Sequence, residues 1–380
     1  MRTLSLILGV VLTAGVTIAA IASMVVPRTT RTGLAHLVTK VVLGTLRLPL
    51  RFLRTFRSQD RWLRLAAPIS VLVQLAIFVA LIIAGVALIV FGQTELTWKQ
   101  AAWQAAATVT TLGTTEAVNW SSAMTSALGA FLGLVVIAVF MGYLVGLYSA
   151  YVARESLMAR FAQVAGEPAW GPMVLARSQI LAGDPADALD CAEWTSWMTD
   201  VRLGQQASPV LAHFRSPDPM RHWTISVLSM LDAISLALAM GVVTERAPAI
   251  RCVSEGTITL RVLQRQGNSA EMTNWQVERT VLGIIDGTIS ADSTSTASID
   301  DDSWEAAVTL LMDSGVADRP TLDASRAKFE ALRSLYVDDA TDIARHLHAV
   351  RAPWSGGRSD SMAVIWPDEC SGGSMKNGAS

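Results

Sequence analysis

Three long apolar runs dominate the first 152 residues of the chain. The first covers residues 3–26 without a charge, the second covers 66–92, and the third covers 124–152. Because an α-helix rises about 1.5 Å per residue, each run is long enough to cross a hydrocarbon core of about 30 Å. The pattern predicts three transmembrane helices, the first of them within residues 1–26.

The first run has two interpretations. Ala20-Ile21-Ala22 resembles the small-residue cleavage site of a secretory signal peptide. Against cleavage, the run is longer than the roughly 7–15 apolar residues of a usual signal peptide, and Arg2 is the only charge before it. The length favours a retained transmembrane helix, although whether residues 3–26 are retained stays open.

Residues 27–65 separate the first two runs and hold nine basic residues against one acid, Asp60. Apolar side chains are interleaved with the basic ones, which predicts a basic amphipathic segment that contacts anionic lipid through residues 28–64. The alternative is a solvated linker that only fixes the topology. Both interpretations place the segment in the cytoplasm, because loops rich in Lys and Arg stay on that side of the membrane.

From residue 153 onward the chain is typical of a soluble, largely helical protein. The apolar stretch from Trp223 to Val243 contains Asp232 and has turn signals on both sides, so we expect the core of a cytosolic bundle and not a fourth span. The predicted parts are a helical cytoplasmic domain (153–286), an acidic Ser/Thr linker (287–302), C-terminal helices (303–355) and a disordered tail (356–380).

Composition supports a membrane protein, because 51% of the residues are hydrophobic and only 16% are charged, against about a quarter in soluble proteins. The net charge of −2 gives no indication of nucleic-acid binding. The three cysteines, Cys191, Cys252 and Cys370, are far apart in sequence and lack CxxC spacing. They predict neither a disulfide framework nor a metal site, and they fit a reducing compartment.

The stretch between the second and third runs, residues 96–120, carries the candidate chemistry. Residues 98–110 read WKQAAWQAAATVT, which is too apolar for an exposed loop and too short to cross the membrane. This profile predicts a re-entrant helix. Non-helical backbone at membrane depth must be surrounded by protein or water, and symmetric copies of the same chain are its simplest source of neighbours.

The C-terminal end of such a helix carries a partial negative charge, which favours a cation near the bilayer centre. We expect Thr111 to Thr115 to run extended, with backbone carbonyls that replace the hydration shell of an ion. Gly113 permits unusual backbone angles, and Glu116 at the outer mouth would concentrate cations. The alternative is a membrane-buried helical hairpin in a non-conducting anchor.

The segment from Thr108 to Glu116 reads TVTTLGTTE and resembles the T-x-T-T-V-G-Y-G-D selectivity filter of potassium channels. Residues 66–152 are similar to the helix, pore helix, filter and helix of the bacterial two-transmembrane, pore-loop potassium-channel-like family. The extra N-terminal span and the SPVLAHFRS stretch at 208–216 resemble an ion-channel subfamily with a helical cytoplasmic tail. The residues that align with the pore signature are Trp103, Thr108, Thr110, Thr111, Leu112 and Gly113.

The resemblance implies a homotetramer with one central cation pathway, no cofactor and no structural metal, and K⁺ as the permeant ion. It places the filter at Thr111, Leu112, Gly113, Thr114 and Thr115, and it implies that Trp103 packs the pore helix. Thr114 and Thr115 replace the Tyr and second Gly of the family, and Glu116 replaces its Asp. A β-branched Thr115 resists positive φ, so we expect weaker selectivity than in a strict potassium channel.

Two glycine pairs lie in the third run, Gly129 with Gly133 and Gly142 with Gly146. Residues four apart share one helix face, and small residues there let transmembrane helices approach closely. A glycine pair can also mark a bend, so Gly142 is the candidate hinge.

The sequence gives little support for an enzyme or for a metal site. The sequence has no Walker motif, HExxH or GxSxG, and no GxGxxG after a strand, so we expect no enzyme. His346 and His348 lie two apart and would face different ways on a helix, which argues against shared metal ligation.

The sequence therefore predicts an all-α membrane protein with three transmembrane helices, a re-entrant pore helix and filter loop, and a helical cytoplasmic domain. The expected function is potassium-channel-like conduction of monovalent cations across the bacterial inner membrane, in a multi-pass chain with a cytoplasmic C-terminus. Two alternatives stay open: a poorly selective channel regulated through its cytoplasmic domain, and a non-conducting membrane scaffold or sensor. The gating stimulus and any ligand of the cytoplasmic domain also stay open.

Overall fold

The computed structural model describes residues 2–25, 41–42, 44–45, 56–113, 118–265, 273–289 and 298–355. The secondary structure of these residues is helical, without a strand, which confirms the predicted all-α class. The chain divides into two compact units. The first unit is Met1–Tyr151 together with Gln206–Phe214, and the second is Val152–Gln205 together with Arg215–Ser380.

The first unit contains two of the long apolar helices and most of a third. Among the described residues, four helices are long and apolar enough to cross a membrane: Arg2–Met24, Ser58–Gln93, Trp120–Ala165 and Trp223–Met240. The elements of the first unit are α1 (Arg2–Val25), α2 (Phe56–Arg64), α3 (Ala66–Gln93), α4 (Trp98–Val109), α5 (Trp120–Ala165, which continues into the second unit) and a 3₁₀ helix (Pro209–His213).

Burial separates the fourth candidate span from the other three. In Trp223–Met240, 89% of the apolar window is buried by other helices, against 22–33% in the other three. The other three helices keep apolar side chains exposed in the single chain, whereas a helix that is apolar all round and covered on all sides is a buried core helix. Trp223–Met240 therefore forms the centre of the second unit.

Close backbone contact joins α1 to α3, which run antiparallel. A methyl group on Gly9 would lie 2.7 Å from the carbonyl oxygen of Gly85, and one on Gly92 would lie 2.8 Å from the carbonyl oxygen of Arg2. Small residues at such crossings let helices approach closely in lipid. Arg2 also forms an ion pair with Glu95 at the end of this helix pair.

The second unit surrounds its apolar centre with amphipathic helices. Its elements are α6 (Gly171–Ala182), α7 (Cys191–Ala207), α8 (Trp223–Met240), α9 (Arg246–Arg265), α10 (Asn274–Ile285), α11 (Asp301–Asp313), α12 (Arg319–Arg333) and α13 (Val337–His346). Helix α8 contacts α6, α9, α12 and α13. In α8, the buried Asp232 carboxylate accepts hydrogen bonds from Arg333 at 3.1 Å and from the Tyr336 hydroxyl at 2.9 Å. A charge inside a core requires such partners.

Helix α11 begins inside the stretch that the sequence assigned to the 287–302 linker. The Asp300 carboxylate accepts a hydrogen bond from the Ser303 N–H at 2.8 Å and so caps the helix, which starts at Asp301. Most of the basic segment 28–64, part of the linker and the whole 356–380 tail lie outside the described residues.

Candidate functional site

The candidate site is the short helix α4 and the four residues that follow it. The helix begins at Trp98 behind a capping interaction, in which the Gln100 side-chain oxygen accepts from the Thr97 N–H at 3.0 Å and from its hydroxyl at 2.8 Å. The rings of Trp98 and Phe91 meet edge to face with centroids 6.1 Å apart. These contacts fix the start of α4 against the end of α3.

Small apolar residues hold α4 against α3. Ala101 and Ala105 lie one turn apart and are fully buried, and Val109 continues the same face with 1% of its surface exposed. They share a cluster with Val86 and Val90 of α3. Alanine at these positions lets the two backbones approach closely, so α4 lies along α3 and does not extend into solvent.

Two contacts hold α4 against α5. The Gln104 side-chain amide donates to the Ser126 hydroxyl at 3.3 Å, and the Gln104 side chain is buried. At the C-terminal end of α4, the Val109 carbonyl oxygen lies so close to Gly133 that a methyl group there would overlap it. Any side chain at position 133 would clash with the backbone of α4, which explains the glycine at this position.

The contacts of α4 give the depth at which it ends. Gly133 lies 13 residues after Trp120, or about 20 Å along α5 at 1.5 Å per residue. Gly129 of α5 faces both Thr108 of α4 and Val86 of α3, and Val86 lies seven residues, or about 10 Å, before the end of α3 at Gln93. The C-terminal end of α4 therefore lies beside a point about 20 Å along α5 from Trp120 and about 10 Å along α3 from Gln93.

The flanking helix ends are bonded to each other above this point. The Thr125 hydroxyl donates to the Gln93 side-chain oxygen at 2.9 Å, and the Asn119 side-chain amide donates to the Gln93 carbonyl oxygen at 3.2 Å. The end of α3 and the start of α5 are therefore held together directly.

Left-handed backbone closes the C-terminal end of α4. The N–H groups of Leu112 and Gly113 both donate to the Ala107 carbonyl oxygen, at 2.7 and 3.3 Å. Gly113 has φ of 67°, but Thr111 also has a positive φ of 59°. The expectation of extended backbone from Thr111 onward is therefore wrong at this residue, because a left-handed turn satisfies the last carbonyls of the helix. Positive φ is strained for a β-branched residue.

One face of the site is uncovered in the single chain. Trp103 and Leu112 each expose 57% of their surface, so Trp103 does not pack into the core of its own chain. Thr110, Thr111 and Gly113 are exposed as well, whereas Thr108 is half-buried. An apolar stripe on α5 is also exposed. It consists of Leu128, Phe131, Leu134, Ile137, Met141 and Val145.

The other residues of the predicted site fall in different places. Thr114, Thr115 and Glu116 lie outside the described residues. Gly142 lies within the continuous helix α5, and a methyl group there would meet nothing within 4 Å. Gly146 is equally open, so the two glycine pairs of α5 differ: Gly133 touches a neighbouring backbone and the second pair does not.

The arrangement places a helix end with a partial negative charge between two long apolar helices, followed by exposed polar backbone. Comparisons with models of known protein families, with characterised proteins and with solved structures gave no match. Sequence reasoning identified α4 and its C-terminal residues. It did not identify Gln104 and Ser126 as a polar link, although a glutamine in an alanine-rich apolar helix is a signal for such a link.

Proposed function

We propose that the chain is one subunit of a homotetrameric, potassium-channel-like channel that conducts monovalent cations across the bacterial inner membrane. The observation that carries the proposal is the end of α4, which contacts Gly133 about 20 Å along α5 from the start of that helix. A short helix that enters and stops between two spans is the element that a re-entrant pore requires.

Electrostatics favours a cation at this position. The last turn of a helix carries about half an elementary negative charge, so four copies around one axis would bring about two negative charges together. Water is scarce at this depth, and the charges are therefore poorly screened. A permeant cation compensates them.

The exposed polar residues favour an oligomer. Thr110, Thr111 and Gly113 present hydroxyl and backbone groups at a depth where the flanking helices are apolar. Polar backbone cannot face hydrocarbon, because each unsatisfied group costs several kcal/mol, so it must face protein or a water-filled cavity. The uncovered Trp103 and the α5 stripe supply apolar surface for the neighbouring subunits.

Selectivity is expected to be weaker than in a strict potassium channel. Thr114 and Thr115 stand where the family has Tyr and Gly, and a threonine resists the positive φ that a glycine adopts. Thr115→Gly should increase the preference for K⁺ over Na⁺. An unchanged reversal potential in mixed K⁺ and Na⁺ solutions would contradict this assignment of the outer filter.

Cation flux from the purified full chain in liposomes tests the proposal. The variant Gly113→Ala should lose flux, because φ of 67° strains any residue with a side chain. Gly183→Ala is the matched control, since Gly183 has φ of 71° at the end of α6, and this variant should retain flux. A monomeric or dimeric particle without flux would refute the channel, and a tetramer without flux would favour the scaffold.

A further inference from the structure

A short segment between α7 and α8 belongs to the membrane unit, although its neighbours in sequence do not. Gln206–Phe214 is part of the first unit, whereas Gln205 before it and Arg215 after it belong to the second. The same stretch drew attention in the sequence through its SPVLAHF pattern. We call it the coupling segment.

The sequence explains why the segment leaves the helix that precedes it. Helix α7 ends at Ala207, one residue before the Ser208-Pro209 pair, because a proline disfavours helical backbone in the residue before it. Pro209 then starts a 3₁₀ helix that ends at His213. Val210 and Leu211, which follow Pro209 inside this helix, are apolar, and each exposes only 6% of its surface.

The coupling segment packs on both α3 and α5. Val210 and Leu211 share a buried cluster with Ala67 and Val71 from the first turns of α3. A hydrogen bond of 2.6 Å joins the Ser208 and Tyr143 hydroxyls, and the rings of Phe214 and Tyr151 lie 5.5 Å apart. The side chains of α5 that take part are Phe140, Tyr143, Leu147 and Tyr151.

These side chains form one face of α5, since they recur every three or four residues. They begin before Gly142 and end after Gly146, the two glycines whose surroundings are open. A glycine inside a helix weakens it relative to alanine. The coupling segment therefore packs on α5 across a stretch that contains two glycines without neighbours of their own.

Both ends of the coupling segment are anchored in the second unit. Gln205, the residue before it, is buried, and Arg202 of the same helix forms an ion pair of 2.8 Å with the buried Glu255 of α9. Arg215, directly after it, donates to the carbonyl oxygens of Leu347 and His348. The nine residues of the segment are therefore linked covalently to the second unit at both ends.

We propose that the coupling segment regulates the pore, by transmitting rearrangements of the second unit to α5 across Gly142 and Gly146. This inference rests on the proposed channel function. Loss of the packing removes the support from α5 and changes the ratio of open to closed channels. The proposed filter at residues 111–115 is left unchanged, so the current through one open channel stays the same.

Single-channel recording of the full chain in planar bilayers tests the coupling. Ser208→Ala and Tyr143→Phe should each change the open-to-closed ratio about fivefold, the equivalent of one hydrogen bond of about 1 kcal/mol. Leu211→Ala removes buried apolar surface and should change it more than tenfold, in the same direction. The unit current and the reversal potential should stay unchanged in all three variants.

The hydroxyl pair allows a stricter test. Combining Ser208→Ala with Tyr143→Phe should change the ratio no more than either single variant, because both remove the same bond. Tyr148→Phe is the matched control, since it removes a hydroxyl from the exposed face of α5 and should leave the ratio unchanged. An unchanged ratio in Leu211→Ala would overturn the inference.

Hydrogen exchange of the full chain in detergent separates this inference from the channel proposal. Leu211→Ala should speed amide exchange at residues 140–151, whether or not the protein conducts, because the supporting contact is lost. If the parent chain passes no current, the channel proposal fails. If exchange at 140–151 is also unchanged in Leu211→Ala, the coupling fails as well.

Discussion

Gly133→Ala is the substitution that most directly probes the position of α4. The new methyl group would overlap the Val109 carbonyl oxygen and would lie 3.1 Å from a methyl carbon and 3.3 Å from the carbonyl carbon of the same residue. A side chain could rotate away from such a contact, but here the overlapping atoms are backbone. Helix α4 or α5 must therefore shift.

Two terms determine the stability of this variant. Replacing a helical glycine by alanine stabilises the helix by about 1 kcal/mol, and overpacking a tight contact costs about 1–3 kcal/mol. Gly142→Ala carries only the first term, because a methyl group at Gly142 meets nothing within 4 Å. The difference in unfolding free energy between the two variants should therefore equal the steric term, about 1–3 kcal/mol.

Titration of the purified variants with SDS, followed by far-ultraviolet circular dichroism, measures this difference. Gly129→Ala is a further control, because its methyl group would lie at an ordinary 3.4 Å from the Val86 side chain. Liposome flux should fall in Gly133→Ala and persist in Gly129→Ala. If Gly133→Ala proves as stable as Gly142→Ala and still conducts, α4 does not end against α5 as described.

Three further predictions concern the assembly and the second unit. Trp103→Ala should lower the tetramer fraction in chemical cross-linking, whereas Trp275→Ala, also exposed but in the second unit, should not. Asp232→Ala should destabilise the second unit by about 3–5 kcal/mol in thermal unfolding, because it leaves Arg333 buried without its carboxylate. Asp300 caps α11, so Asp300→Ala should cost about 1 kcal/mol at pH 7. Hydrogen bonds from Ser303 also lower the pKa of this carboxyl.

The acid dependence of Asp300 has a definite sign. A carboxylate with a lowered folded-state pKa stabilises the protein above its unfolded pKa of about 3.9, and this stability is lost as the pH falls through the folded value. The cost of Asp300→Ala in unfolding free energy should therefore shrink below pH 4. A cost that stays constant from pH 7 to pH 3 would contradict the charged cap.

The other two predictions have equally simple controls. Glu305→Ala breaks an exposed ion pair with Arg319 and should cost at most about 1 kcal/mol. A similar small cost for Asp232→Ala would show that its pair is not buried in solution. Equal tetramer fractions in Trp103→Ala and Trp275→Ala would contradict a role of α4 in the subunit interface.

Hydropathy was enough to locate the long helices and the helix predicted within 98–110, because both depend on local runs of apolar residues. Asp232 and its flanking turns likewise indicated that Trp223–Met240 is a core helix, and its burial agrees with this interpretation. These features depend only on short stretches of sequence. They require no knowledge of which helices become neighbours.

Contacts between residues that are far apart in sequence could not be predicted from the pattern of apolar and polar residues. Gly133 and Gly142 have similar apolar surroundings in sequence, and only the position of the Val109 backbone distinguishes them. The positive φ of Thr111 was equally hidden, since glycine is the residue that usually marks such a turn. The pattern of the coupling segment does not indicate its partners, because Ser208 and Tyr143 are 65 residues apart in sequence.

The contact between Gly133 and α4 also limits how the chain can recover from mutation. Because α4 contributes a carbonyl group that every amino acid possesses, replacing Val109 by a smaller residue leaves the overlap with the carbonyl oxygen in place. A genetic screen for second-site revertants of Gly133→Ala should therefore return few changes at residue 109. Compensating substitutions should instead occur where α3 supports α4, at Val86 or Val90, since smaller side chains there let the whole helix move away from α5.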